Sequence, residues 1–290
     1  MSYRLVTDAT ADLAPEMLEG LPEISVLPME ILLDGRPYTY GPGGNIGAEE
    51  FYQQLEAGSF ASTSQINPTQ YEEFFLPILE AGQDLLYLCF TSGLSGMYQQ
   101  AMGCVQRLRS RYPERKILCI DTLCASLGEG FLVREALLRQ AQGYTIEELA
   151  RWVEERRGAV CQWFMVDTFE HLKRGGQVNS ATAAVGTMLQ IKPLMHVSAQ
   201  GRLEVADRTV RGARRAQAAL LHRVQEGWMP QAGTEVFVGH GGCPQRAEQL
   251  AEQIRAELPS VKILIAPVGP VIGAHTGPGI LGLIFWGNTR

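Results

Sequence analysis

Long hydrophobic runs are missing from this chain of 290 residues. The longest apolar stretches, at 85–90 and 263–267, are the length of a strand, far short of the roughly 20 residues that cross a bilayer. The opening stretch, "MSYRLVTDAT", lacks the apolar centre of a secretory signal. These absences predict a cytoplasmic protein with no membrane span. Cysteine is scarce too. The six cysteines are scattered, with no Cys-x-x-Cys and no Cys/His cluster at zinc spacing. In a reducing compartment they are expected as free thiols that fill small buried spaces. Positive charge is in deficit, with a formal net charge of -6. A non-specific grip on nucleic acid needs a basic face to displace counterions, so no nucleic-acid partner is expected. What remains is ordinary globular composition, 46% hydrophobic and 19% charged. The length allows one large or two ordinary domains.

The usual signatures of catalysis are absent as well. There is no G-x-S-x-G elbow, no G-x-x-x-x-G-K-[ST] loop and no H-E-x-x-H. Gly277, Gly279 and Gly282 do spell G-x-G-x-x-G. A dinucleotide fingerprint should end a strand and open a helix inside a βαβ unit. Here Pro278 interrupts the motif, and the residues after it read as a strand. No cofactor and no metal are therefore expected.

Strand, turn and helix patterns alternate through the first half. "YRLVTD" (3–8), "LLYLCF" (85–90) and "KILCID" (116–121) each lead into a polar turn and then a helical pattern. "EVFVGH" (235–240) does the same later in the chain. Such alternation predicts an α/β fold with a mainly parallel sheet in the N-terminal half. Ligands of such sheets gather outside the carboxyl ends of the strands. The region after residue 157 differs. "GAVCQWFMVDT" reads as a strand and "FEHLKRGG" as a short helix closed by glycine. "SATAAVGTMLQIKPLMHV" reads as a helix running into an extended segment, "GRLEVADRTV" as a strand and "RGARRAQAALLHRVQEG" as a helix. We expect two domains, an N-terminal α/β/α domain over 1–157 and a C-terminal α/β domain with a mixed or antiparallel sheet over 158–290.

Two segments concentrate hydroxyls ahead of helical patterns. Ser62, Thr63 and Ser64 precede "QINPTQYEEFF", while Thr91, Ser92 and Ser95 precede "GMYQQA". Free N–H groups and the positive end of the helix dipole make such junctions suited to an oxyanion. A hydroxyl there can equally cap its own helix, and both readings stand at this point. Among the five histidines, His275 lies among glycines that permit close backbone approach, which makes it the strongest ligand-contact candidate. The stretch around it, 270–285, reads as a tight loop followed by a closing strand. His240 ends a strand ahead of two glycines, where a ligand contact and a backbone-satisfied loop histidine are equally open. Asp8 and Asp121 also end strands, as functional carboxylates or as acceptors of turn N–H groups.

Taken in order, the segments resemble the DegV family. The matching pieces are "VTDATADL" (6–13), "TSQINPTQ" (63–70), "SGLSGMYQQA" (92–101), "DT" (121–122), "LKRGG" (172–176), "IKPL" (191–194), "VRGARRA" (210–216), "GHGG" (239–242) and "PVIGAHTGPGILGLIF" (270–285). They span essentially the whole chain. The resemblance implies a two-domain α/β protein that holds a long-chain fatty acid in an apolar tunnel, with its carboxylate between the domains. It implies a carrier, not an enzyme, that presents the acid to a separate ATP-dependent fatty acid kinase subunit. By the same resemblance the carboxylate contacts are Thr63, Ser95 and His275, with Ser64 and Ser92 as neighbours. Arg211, in a stretch with Arg202, Arg208, Arg214 and Arg215, is implied as a contact to the kinase. Hydroxyls and an imidazole would hold a carboxylate without full neutralisation, leaving an oxygen nucleophilic enough for transfer. The alternative is a self-contained enzyme acting on a small anion. The sequence departs from the family pattern at Ala9, where serine is usual, at Thr91, which stands for the first serine of a pair, and at Gln177, which replaces a frequent arginine. Tunnel length and shape are expected to rest on side chains such as Phe164, Met165, Met188 and Leu189.

Overall fold

The computed structural model describes residues 3–178, 191–288 and 290. Three sheets organise it. The N-terminal sheet is fully parallel, in the order β2-β1-β6-β7. These strands are β1 (Tyr3–Asp8), β2 (Ser25–Leu27), β6 (Asp84–Cys89) and β7 (Ile117–Asp121). Every residue of β6 is buried, as a parallel strand covered on both faces requires. Leu85, Tyr87 and Cys89 pack toward Tyr71 and Phe75 of α3 (Pro68–Glu80) and Cys104 and Val105 of α4 (Met97–Arg111). The alternate residues Leu86 and Leu88 face α5 (Leu127–Ala141) and α6 (Ile146–Arg156).

A small antiparallel sheet, β4-β3-β5, formed by β3 (Met29–Leu33), β4 (Arg36–Tyr40) and β5 (Ala61–Thr63), sits beside it. The short strands of this sheet carry no long apolar run, and the sequence reading does not anticipate them. Its Ile31 and Leu33, with Phe51 and Tyr52 of α2 (Ala48–Glu56), join the core on the α3/α4 side. The remaining N-terminal helix, α1 (Pro15–Leu18), buries only Met17.

The third sheet has six strands in the order β10-β9-β8-β13-β11-β12. They are β8 (Val160–Met165), β9 (Leu194–Val197), β10 (Leu203–Asp207), β11 (Glu235–His240), β12 (Lys262–Pro267) and β13 (Leu281–Trp286). Only β11 and β12 run parallel among these pairs, so the sheet is mixed. Leu281, Leu283 and Phe285 pack under α8 (Ala213–Gly227) and α9 (Pro244–Glu257). Ile284 and Trp286 face the other way, toward α5. The fold is thus α/β with a parallel and a mixed sheet.

Helix α5 joins the two large sheets. Its first seven residues are all buried, the pattern of a helix enclosed on every side. Phe131 sits edge-on to Phe237 at 5.0 Å and to Trp286 at 5.2 Å, in one core with Leu86 and Leu88 of the parallel sheet. A second crossing element is α10 (Pro270–Thr276), whose Val271 and Ala274 belong to the N-terminal core although the helix follows β12. This corrects the expectation of a loop around His275. Pro270 opens a two-turn helix, and Gly277, with φ of 75°, closes it. The helix expected over 180–190 lies outside the described residues. Among the described residues no helix is long and apolar enough to cross a membrane. None of the six cysteines forms a disulfide.

Candidate functional site

An apolar cavity of about 350 Å³ lies where the carboxyl ends of β1 and β6, the start of α5, the face of the mixed sheet and α10 meet. Its volume falls in the range of about 300–1,000 Å³ usual for small-molecule sites. Phe90, Leu94, Phe164, Ile272 and Ile284 are among the side chains on its wall. Among the described residues that line it there is no Asp, Glu, Lys or Arg. Its polar groups are neutral at pH 7: hydroxyls, the amides of Gln65, Gln162 and Gln177, and His275.

Two of those groups meet directly. Thr63 ends β5, and its Oγ1 lies 2.8 Å from His275 Nε2, across 212 positions of sequence. Burial holds the His275 imidazole below its ordinary pKa, which favours the neutral ring. Its Nδ1 is buried and has no hydrogen-bond partner. In the tautomer with its proton on Nε2 the neutral ring donates to Thr63, leaving Nδ1 as the unpaired acceptor. The Thr63 hydroxyl proton is then free to turn toward a ligand. Ser95 and Ser64 line the same cavity, with Ser95 just ahead of α4.

Thr63 and Ser64 do not cap α3. Asn67 does, through a reciprocal pair with Gln70. Ser95 Oγ accepts weakly from Met97 N–H at 3.3 Å, so this hydroxyl takes part in the helix start as well. The expected neighbour Ser92 is not on the cavity wall, and its N–H donates to Asp121 Oδ1 at 3.1 Å. Asp121 also accepts from Leu123 N–H, the turn role weighed for it from sequence. Gln177, at the arginine position of the family pattern, does line the cavity. Ala9 is packed in the core at 3% exposure. Phe164 lines the cavity, whereas Met165 points into the opposite core under α8 and α9; Met188 and Leu189 lie outside the described residues. His240 ends β11, half-buried, with Nδ1 unpaired and away from the cavity wall.

Glycines explain how the imidazole fits. A Cβ on Gly175, which closes α7 (Glu170–Arg174), would fall 2.2 Å from His275 Nδ1. The "LKRGG" motif therefore gives the ring room. The motif stands out in the sequence but this purpose does not, because the two residues are 100 positions apart.

A second polar group lies behind the cavity wall. Thr10, which lines the cavity, donates to Asp8 Oδ1 at 2.5 Å and lies 2.8 Å from Glu129 Oε2. Thr7 Oγ1 lies 3.0 Å from Leu88 O and 3.2 Å from Glu129 Oε1. Two hydroxyl protons cannot serve four acceptor contacts. A proton on Glu129 supplies a third donor, and its carboxyl is held well above the usual range by burial and by the charge of Asp8. Asp8 is pushed up by burial, against hydrogen bonds from Thr10 and Tyr87 that favour its charged form. Tyr87 donates to Asp8 Oδ2 at 2.6 Å. Nearby, Ser126, also on the cavity wall, donates to Asp12 Oδ2 at 2.5 Å. Burial pushes the Asp12 carboxyl up to about 7.

A family profile described as "Uncharacterised protein, DegV family" matches residues 2–288. The chain belongs to the DegV family. A DegV domain-containing protein of Clostridium perfringens is 35% identical over 288 residues, covering 99% of this chain and 98% of the relative. Among solved DegV structures, one described as showing fatty acid binding, from Thermus thermophilus, superposes with a TM-score of 0.85 at 29% identity, covering 99% of this chain and 100% of that one. The fatty acid kinase B3 protein of Streptococcus pneumoniae, described as loaded with linoleic acid, shares the fold with a TM-score of 0.85 at 19% identity, covering 99% and 100%.

Proposed function

We propose that this DegV protein binds a long-chain fatty acid, with the acyl chain in the apolar cavity and the carboxylate at Thr63, Ser95 and His275, Ser64 beside them. The observation that carries the reading is the Thr63–His275 pair on the wall of a cavity with no charged wall residue among the described residues. Fatty acid binding by the Thermus thermophilus relative supports it. The fit is chemical. An acyl chain gains from leaving water at about 0.8 kcal/mol per buried CH₂. A carboxylate gains charge-assisted hydrogen bonds from hydroxyls and from the open start of α4. His275 takes part through Thr63: donating from Nε2, it turns the Thr63 hydroxyl proton toward the carboxylate. Gln177, where the family pattern has arginine, adds a neutral donor in place of a cation.

The same reading makes the protein a carrier. The bound acid would be offered to a separate ATP-dependent fatty acid kinase subunit, with the carboxylate held by neutral donors so that an oxygen stays nucleophilic. Arg211 would contact that partner. It is exposed, as are Arg202, Arg208, Arg214 and Arg215. Residues 1–157 and 158–290 would form the two domains, with the ligand between them. Denaturing extraction and mass spectrometry of the purified protein test the binding claim. About one fatty acid per chain is expected; a protein that carries none and takes up none overturns it. Adding the purified kinase subunit and ATP tests the carrier role, which requires acyl phosphate only when both proteins are present.

A further inference from the structure

Gly282 has no structural reason to be glycine. It sits in the middle of β13, buried, with an extended backbone outside the left-handed region. A glycine there weakens a strand, and it usually marks a bulge or a close approach by another backbone. Neither applies. The register of β13 is unbroken on both sides. A Cβ built on Gly282 meets, among the described residues, only Phe164 Cβ and Trp163 O at 3.5 Å, both ordinary contacts. Gly239, directly opposite on β11, differs: its Cβ would press to 2.8 Å on Leu127.

The space in front of Gly282 is the cavity. By strand alternation its missing side chain would stand on the same face as Ile284 and Trp286, toward α5. Gly239, Gly282 and Phe164 follow one another across three paired strands, and all three line the cavity. Leu127 covers Gly239, so the free space lies over Gly282. Phe164 stands beside it on β8, Ile284 two residues along β13, and Ile280 just ahead of that strand. That space is on the cavity wall, which carries no charged residue among the described residues.

We propose that Gly282 is a specificity-determining residue that sets the length of acyl chain the cavity accepts, by leaving room for a methylene segment to lie on the sheet. This inference rests on the fatty-acid reading above. A side chain at 282 would occupy that space and shorten the usable cavity by one strand spacing, about 4.8 Å, roughly three or four carbons of an extended chain. Because valine is a strand former, Gly282→Val should fold and unfold at a temperature equal to or above that of the native protein.

Acyl chains extracted from the native protein, Gly282→Ala and Gly282→Val should be compared by mass spectrometry alongside thermal unfolding. The valine variant is expected to carry acids shorter by roughly three or four carbons and to bind the native protein's preferred acid about tenfold more weakly or worse, with alanine between the two. A native protein that binds fatty acid beside a valine variant with the same chain profile overturns the inference alone. A valine variant that does not fold overturns it too, since the space would then not be free. A native protein that takes up no fatty acid overturns the binding reading and this inference together.

Discussion

Two polar clusters stand on either side of the same cavity wall, and they are built on opposite plans. Around Asp8 and Glu129 each carboxyl and hydroxyl has a protein partner: Thr7, Thr10, Tyr87 and the carbonyl of Leu88 close the network on itself. Around His275 the pairing stops short. Thr63 has one partner, and Ser64 and Ser95 face a cavity. A satisfied network stabilises and specifies a core. An incomplete one is where a ligand can complete the pairing. Both clusters stand near starts of helices and ends of strands, so position alone does not separate them; saturation of hydrogen bonds does.

The contrast should break first at Asp8. Asp8→Ala leaves the Tyr87 hydroxyl, Thr10 hydroxyl and Thr10 N–H without their acceptor, each at a cost of about 1–3 kcal/mol. Urea unfolding should show a loss of about 3 kcal/mol or more; a midpoint within error of the native protein would mean that the network does not hold the core. His275→Ala and Ser95→Ala should behave in the opposite sense. Titration with fatty acid should show affinity weakened by about 1–3 kcal/mol, while the unfolding midpoint moves little. A large loss of stability with unchanged affinity would make them part of the scaffold.

Asp12 sharpens the comparison through pH. Its carboxyl is near 7 in the folded protein, above its unfolded value, so the folded state holds the proton more tightly. The contribution to stability is full below the unfolded value and is lost as pH rises through about 7. Within that window the slope is up to about 1.4 kcal/mol per pH unit. Unfolding measured from pH 5 to pH 8 should show stability falling, and Asp12→Asn should flatten that fall. An unchanged slope in the variant would assign it to other groups. The smallest effect is expected at Glu129. With its carboxyl already neutral, Glu129→Gln keeps one donating and one accepting atom between Thr7 and Thr10, and stability should change by less than about 1 kcal/mol. A loss comparable to that of Asp8→Ala would show that Glu129 carries charge.

The strands most legible from sequence are those buried on both faces. β6 and β11 read as continuous apolar runs, and the structure has them within a residue of their expected bounds. β3, β4 and β5 escaped because short, partly exposed strands carry no such run. The hydroxyls of Thr63 and Ser95 and the imidazole of His275 stood out by their neighbours in the chain. Ser126 and Thr10 did not, because nothing local tells a cavity-facing hydroxyl from a turn hydroxyl. Gly175 and Gly282 were visible only as glycines; their purposes appear in what a Cβ would meet.

The sequence by itself determined the local elements and the kind of chemistry available: neutral donors at strand and helix ends, apolar runs and no catalytic motif, since periodicity and residue type act over a few positions. Tertiary structure alone decided that α5 is shared by two sheets, that α10 carries His275 back to Thr63, and that the cavity beside them is empty of charge. The physical reason is range. A hydrogen bond of 2.8 Å between residues 212 positions apart depends on how buried faces pack, and no local pattern encodes that packing.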